Sequence, residues 1–211
     1  MTPDDVEVLD HRVPFQGYHR IETFRIRHRL FAGDWSPPIE RELLERGHAV
    51  AVVLYDPDRD TLVLIEQFRI GAFAAHRTPW WPQDASPWLL EIVAGIIDEG
   101  ETPETVARRE AVEEAGCEID ELQFVCRFLA TPGVSSETIL LYVGRVDATN
   151  AGGIHGLDDE SEDIRVIAAP AAEVFQWLDR GRIINATALV GLHWFRAHHR
   201  DLRARWRRPA A

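Results

Sequence analysis

Residues 95–117 read GIIDEGETPETVARREAVEEAGC, and their second half carries the strongest helix signal in the chain. Thr102 can cap, Pro103 suits the first helical position, and Glu104 complements the positive end of the helix dipole. Gly116 supplies the stop. The spacing predicts a helix over 103–115. On it, Glu110 and Glu114 are four apart and share a face, with Glu113 alongside. Ala107, Ala111 and Ala115 make a stripe of small residues that lets the backbone pack close to a sheet. Carboxylates so placed repel one another by roughly a few tenths of a kcal/mol in an isolated helix. A close-packed helix with clustered carboxylates invites a cation, and hard oxygen ligands favour Mg²⁺ over zinc. These three residues are also what an ordinary solvated acidic face would show, and alone they do not separate the two.

Upstream, 88–93 reads as a strand and 95–100 as the loop into the helix. Two apolar β-rich runs, 48–55 and 61–68, flank the DPDRD turn at 56–60, which predicts a hairpin. Between them and the helix, 71–87 holds Pro79, Pro82 and Pro87 with few periodic apolar positions, and is expected to be a loop. Its Trp80 and Trp81 suit either an interface or the core. In the first fifty residues, apolar and basic side chains alternate over 18–31, as in half-exposed strands, and DWSPP at 34–38 reads as a turn. Downstream, 123–130, 137–146 and 164–168 read as strands, 149–163 as an acidic irregular segment, and 170–180 and 185–200 as helices. The expectation is an α/β fold: a mixed sheet sandwiched by helices over 48–211, preceded by a small N-terminal β appendage over 1–47.

At 211 residues, 45% of them apolar, there is enough chain for a sizeable core. The start, MTPDDVEVLDHRV, has neither a basic opening nor an apolar run, so no secretory signal is expected. No apolar run is long enough for a spanning helix. Cys117 and Cys126 suggest neither a disulfide framework nor a zinc site, and a cytoplasmic location is the simple reading. The net charge of −12 argues against a nucleic-acid partner. All 23 basic side chains are arginine, for there is no lysine. That excludes Walker-type phosphate binding and Schiff-base catalysis. Any phosphate must be held by arginine, backbone N–H groups or a metal ion.

The run from Gly95 through Glu101 to Arg109-Glu110-Ala111-Val112-Glu113-Glu114-Ala115-Gly116-Cys117 resembles the Nudix box, G-x5-E-x7-R-E-U-x-E-E-x-G-U. Every fixed polar and glycine position matches; Ala111 and Cys117 are small for the aliphatic positions. Trp88-Leu89-Leu90-Glu91 before Ala94-Gly95, Ala130-Thr131-Pro132-Gly133, Gly153-Ile154-His155-Gly156-Leu157 and the acidic run ending Glu160-Ser161-Glu162-Asp163-Ile164 resemble the bacterial ADP-ribose diphosphatases. The resemblance implies an α/β/α sandwich and Mg²⁺-dependent hydrolysis, with Mn²⁺ as a substitute, of ADP-ribose to AMP and ribose 5-phosphate. It implies Glu110, Glu114, Glu162 and the Ala94 carbonyl as metal ligands, Glu113 as a further contact, Arg109 as their orienter and Glu160 as the base. Which of Glu160 and Glu162 is base and which ligand is open.

For the substrate, the resemblance implies Arg69 on phosphate. It places Tyr18, His19, Arg41 and Glu42 in an N-terminal region exchanged within a homodimer. Ile96, Thr131, Gly133 and Glu137 are implied as further contacts. Tyr18 stands where phenylalanine is more familiar, and His19 departs from the pattern; the pair equally suits plain surface. The rival substrates are another nucleoside diphosphate sugar, such as GDP-mannose, or a dinucleotide. A non-catalytic ADP-ribose-binding regulator is the rival of another class, against which the intact glutamates and the lack of room for a DNA-binding domain argue. The basic 200–208 segment reads as favourable charge at a helix C-terminus.

Overall fold

The computed structural model describes residues 1–157 and 161–207. Its contacts cluster into two compact units, residues 1–48 with 129–138, and 49–128 with 139 onward.

The first unit holds the antiparallel sheet β1 (Val6–Gln16), β2 (Arg20–His28) and β3 (Ile39–Glu45), in that order. The sequence reading has no counterpart for β1. Its side chains are almost all exposed and its register slips between Val8 and Asp10 and between Arg12 and Phe15. A strand with no buried face has no period of two to read. In β2 the carboxylate of Glu22, only 6% exposed, accepts from Arg20 Nε at 2.5 Å and lies 2.7 Å from His11 Nε2. The expected turn at 34–38 brings Trp35 under the guanidinium groups of Arg27 and Arg29, 4.9 and 4.4 Å from its ring.

The second unit is built on β4 (Ala49–Asp56) and β5 (Thr61–Phe68), the expected hairpin. Then come α1 (Ile70–Ala75), β6 (Trp88–Glu91), β7 (Val93–Ile96), α2 (Pro103–Ala115), β8 (Glu121–Leu129), β9 (Thr138–Arg145), β10 (Gly153–His155), β11 (Ile164–Pro170), α3 (Ala171–Asp179) and α4 (Ala186–Trp206). The sheet runs β10-β11-β5-β4-β9-β8, with β6 on β5 and β7 on β4. The β4–β9 pair is parallel and the β4–β5, β4–β7, β5–β6, β5–β11 and β10–β11 pairs antiparallel, so the sheet is mixed as expected.

Every residue of β4 is buried, which is why AVAVVLYD shows no alternation. Val50, Val52 and Leu54 face α2 through Val106, Ala107 and Ala111. Val53, on the other face, meets α4 where Gly191 lets the helix approach. Helices therefore cover both faces.

Three boundaries differ from expectation. The 71–87 segment contains the short helix α1, and 88–93 is two strands broken at Ile92, one on β5 and one on β4. Trp80 is 91% exposed, whereas the Trp81 indole nitrogen is buried and has no partner among the described residues. The last helix runs on to Trp206 because Asp60 anchors it: its carboxylate accepts from Arg203 Nη1 at 2.8 Å and lies 2.5 Å from His199 Nε2. The basic 200–208 segment therefore supplies the last turns of this helix, with Arg203 and Arg205 in its final turn. No helix among the described residues is long and apolar enough to cross a membrane.

Candidate active site

The α2 helix is held in place at both ends and along one side. Thr102 caps it, accepting from Thr105 N at 3.2 Å, and Gly116 ends it at φ 61. The alanine stripe is almost fully buried, at 0% for Ala107 and Ala111 and 1% for Ala115. That fit turns Glu114 inward, where it is 2% exposed and accepts a hydrogen bond from Ala94 N at 3.0 Å. Gly95 pairs with Val50, on the face that meets α2. A Cβ at Gly95 would lie 1.8 Å from Glu110 Oε1, so the glycine makes the space that Glu110 fills.

Arg109 organises the rest. Its Nη1 donates to Glu110 Oε1 at 2.8 Å and to Glu113 Oε2 at 2.7 Å, while Nε and Nη2 donate to Glu101 at 3.1 and 3.3 Å. Glu101 is thus a brace that fixes the guanidinium from behind. Arg69, at the end of β5, grips Glu91 with Nη2 at 2.7 Å and Nε at 3.1 Å, and Asn185 Nδ2 donates to the same carboxylate at 2.9 Å. The charges of Glu114 and Glu162 also act on Arg69. Glu162 is clasped to its own loop: its N–H donates to Leu157 O at 3.2 Å and its Oε2 accepts from Leu157 N at 3.3 Å. Gly156 N donates to Glu113 O at 3.2 Å, which ties this loop to α2. Glu160 lies outside the described residues.

Burial dominates the electrostatics of the two α2 carboxylates. Burial pushes Glu110 up to about 7, with Glu113 and Glu162 adding to the rise and Arg109 opposing it. Burial also drives Glu114 well above the ordinary carboxylate range, against the Ala94 N–H and with the neighbouring charges of Glu110 and Glu162. Two inward carboxylates in that condition take either protons or a cation. Their hard oxygen donors fit Mg²⁺ or Mn²⁺. Among the described residues no three acidic, His or Cys side chains already converge as a cage.

Ile96, half-buried, closes β7 beside Gly95. In the first unit, Tyr18 is 89% exposed with His19 edge-on at 4.8 Å, and Arg41 and Glu42 are exposed on β3 opposite Phe24 and Thr23. Thr131 O accepts from Val134 N and Ser135 N, forming the turn that holds Gly133. A Cβ at Gly133 would meet nothing within 4 Å. Glu137, 8% exposed, pairs with Arg46 at 3.2 Å. A cavity of about 400 Å³ lined by Trp81, Pro82, Leu90, Arg182 and Ile184 shares Glu66 of β5 with them; Glu66 points away from the α2 face, so this cavity is not part of the carboxylate site.

Sequence reasoning passed over Glu91, Asn185 and the bracing role of Glu101. Glu91 had a signal: a lone carboxylate inside the apolar run WLLEIV needs a partner once the strand is buried.

The NUDIX domain profile matches residues 45–188. The chain is 46% identical over 203 residues to the ADP-ribose pyrophosphatase of Escherichia coli K12, covering 96% of this chain and 93% of the relative. It is 31% identical over 163 residues to a GDP-mannose pyrophosphatase of Escherichia coli, strain E24377A, covering 76% and 79%. Among solved structures, one described as an ADP compounds hydrolase superposes with a TM-score of 0.68 at 20% identity, over 97% of both chains; that likeness speaks to the fold. The profile spans well over half the chain and contains the whole carboxylate helix with its glycine and arginine supports, and so this chain belongs to the NUDIX family.

Proposed function

We propose that this protein hydrolyses the pyrophosphate bond of ADP-ribose to AMP and ribose 5-phosphate in the presence of Mg²⁺, with Mn²⁺ as a substitute. The observation that carries the substrate is the near full-length likeness to the E. coli ADP-ribose pyrophosphatase. The inward carboxylates of α2 support the chemistry. Glu110, Glu114, Glu162 and the Ala94 carbonyl would hold the metal, which when bound neutralises phosphate charge and lowers the pKa of a coordinated water. Arg109, fixed by Glu101, keeps Glu110 and Glu113 oriented. Arg69 presents its remaining N–H groups to phosphate, Glu91 having immobilised the guanidinium. Glu160 accepts the proton of the attacking water, whose oxygen bonds to phosphorus as the P–O–P bridge breaks.

Residues 1–47 serve as the dimerisation and clamping element of a cytoplasmic homodimer. Tyr18, His19, Arg41 and Glu42, with Thr131, Gly133 and Glu137, contact the nucleotide or ribose ends, and Ile96 contacts substrate beside Gly95. Neither nucleic acid nor a membrane is a partner.

The test is turnover in oxygen-labelled water with Mg²⁺, the products being separated and weighed. AMP and ribose 5-phosphate are expected, one of them labelled at its phosphate, which also identifies the phosphorus attacked. Absence of AMP, together with faster cleavage of GDP-mannose, would overturn the substrate; light scattering at the mass of one chain would overturn the dimer.

A further inference from the structure

We propose that the side-chain amide of Gln67 is a further ligand of the substrate's diphosphate, donating to a non-bridging phosphate oxygen beside Arg69. The inference deepens the reading above and rests on it only in requiring a diphosphate at this site.

Gln67 is 8% exposed, and its Nε2 is buried with no hydrogen-bond partner among the described residues. Strand alternation settles which way it points. Val63 and Ile65 pack in one cluster with Val106, Ala107 and Ala111 of α2, so Gln67, the next residue on that face, points to the carboxylate side. The registers agree. On β6, Leu89 stands opposite Gln67 and Glu91 opposite Ile65, which makes Glu91, the anchor of Arg69, a diagonal neighbour. On β11, Arg165 stands opposite Glu66, so the chain leading from Glu162 through Ile164 enters the sheet beside Gln67. The amide therefore lies among Arg69, Glu91 and the start of β11.

None of the described carboxylates there takes its proton. Glu91 already accepts from Arg69 Nε and Nη2 and from Asn185 Nδ2, Glu114 accepts from Ala94 N, and Glu162 from Leu157 N. A buried amide donor without a partner is rare, since burying it unpaired forfeits its hydrogen bonds to water. An anionic oxygen arriving at the site restores that loss with a charge-assisted bond. A neutral donor also adds a hydrogen bond without adding to the positive charge that Arg69 and a bound metal would supply. The wall for the diphosphate is then a guanidinium edge and an amide, two residues apart where β5 ends.

The test compares the wild type with Gln67→Leu and Gln67→Met, both of similar size and neither a donor. The probe is methylenediphosphonate with Mg²⁺, titrated calorimetrically, because it carries the diphosphate without the sugar or base. We expect binding about tenfold weaker in the variants, equal to about 1.4 kcal/mol, and a similar rise in KM for ADP-ribose. The ligand-free variants should melt at or above the wild type, because the unpaired donor is gone; a merely structural glutamine would lower the melting temperature and leave affinity alone. Wild-type affinity in either folded variant overturns the proposal, as does loss of fold in both or failure of the wild type to bind the probe. If ADP-ribose is not hydrolysed while the tenfold loss for diphosphonate is found, the substrate reading falls and this one stands.

Discussion

At Gly95 the missing side chain is space that Glu110 occupies: a Cβ there would lie 2.1 Å from Glu110 Cδ as well as 1.8 Å from its Oε1. An alanine at this position displaces the Glu110 carboxylate or lifts β7 from α2. Since roughly 1 Å of misplacement can cost about 100-fold in rate, Gly95→Ala is expected to lower kcat/KM for the hydrolysed nucleotide by about that factor. Circular dichroism should stay near wild type, because the remainder of β7 still pairs with β4. Kinetics within threefold of wild type would show that Glu110 is not held by this contact. The glycine was legible in sequence through its place in the box, yet its reason was not: spacing identifies the residue, while only the β7–α2 approach shows what fills the missing side chain. Gln67 and Asn185 were illegible for a different cause. A single amide in a strand or at a helix start has no pattern, and its meaning comes from residues far along the chain that the sheet brings near it: Leu89 and Glu91 for Gln67, and Glu91, 94 positions away, for Asn185.

Elements with a local signal, an apolar β-rich run or a capped helix, were read well, and an element without one was not. The 103–115 helix has a capping residue, a stop and a small-residue stripe, and it forms with those bounds. The exposed β1 has none of these signals. The length of α4 was underestimated because its last turns are held by a tertiary contact, Asp60 in the β4–β5 turn, which local propensity does not contain. That contact has a pH signature. Burial raises the Asp60 carboxyl, but hydrogen bonds from His199 and Tyr55, with the charges of His199 and Arg203, outweigh it and leave the group below its ordinary value. A carboxyl with a lowered folded pKa adds stability that is fully present above the unfolded value, about 3.9, and is lost as pH falls through the folded value. The urea midpoint of the wild type is therefore expected to fall more steeply below about pH 4 than that of Asp60→Asn. Asparagine also tolerates the φ of 57 at this position. Parallel acid slopes for the two proteins would remove Asp60 from the account.

For the whole molecule, the site is a stability cost that a ligand can repay. Glu114 is almost completely buried, Glu110 is held beside it, and burial makes the charged form of both unfavourable. A cation that binds the folded chain and not the unfolded one adds RT ln(1 + [L]/Kd), about 2.7 kcal/mol at a hundred times Kd. For a chain of this length each kcal/mol moves the melting temperature by about 2–4 °C, so saturating Mg²⁺ is expected to raise it by about 5–11 °C. Glu114→Gln separates the cost from the function. The amide keeps an oxygen to accept from Ala94 N but carries no charge to desolvate, so the metal-free variant should melt at or above the metal-free wild type. Its shift with Mg²⁺ should shrink to a small fraction of the wild-type shift, and turnover should be nearly abolished with circular dichroism unchanged. Scanning calorimetry of both proteins, with Mg²⁺ and with a chelator, reads all of this except turnover, which a product assay supplies. An undiminished Mg²⁺ shift in Glu114→Gln would mean that the ion binds elsewhere. A variant that is destabilised as well as inactive would mean that Glu114 serves the fold first, and the stability cost argued for the site would be absent.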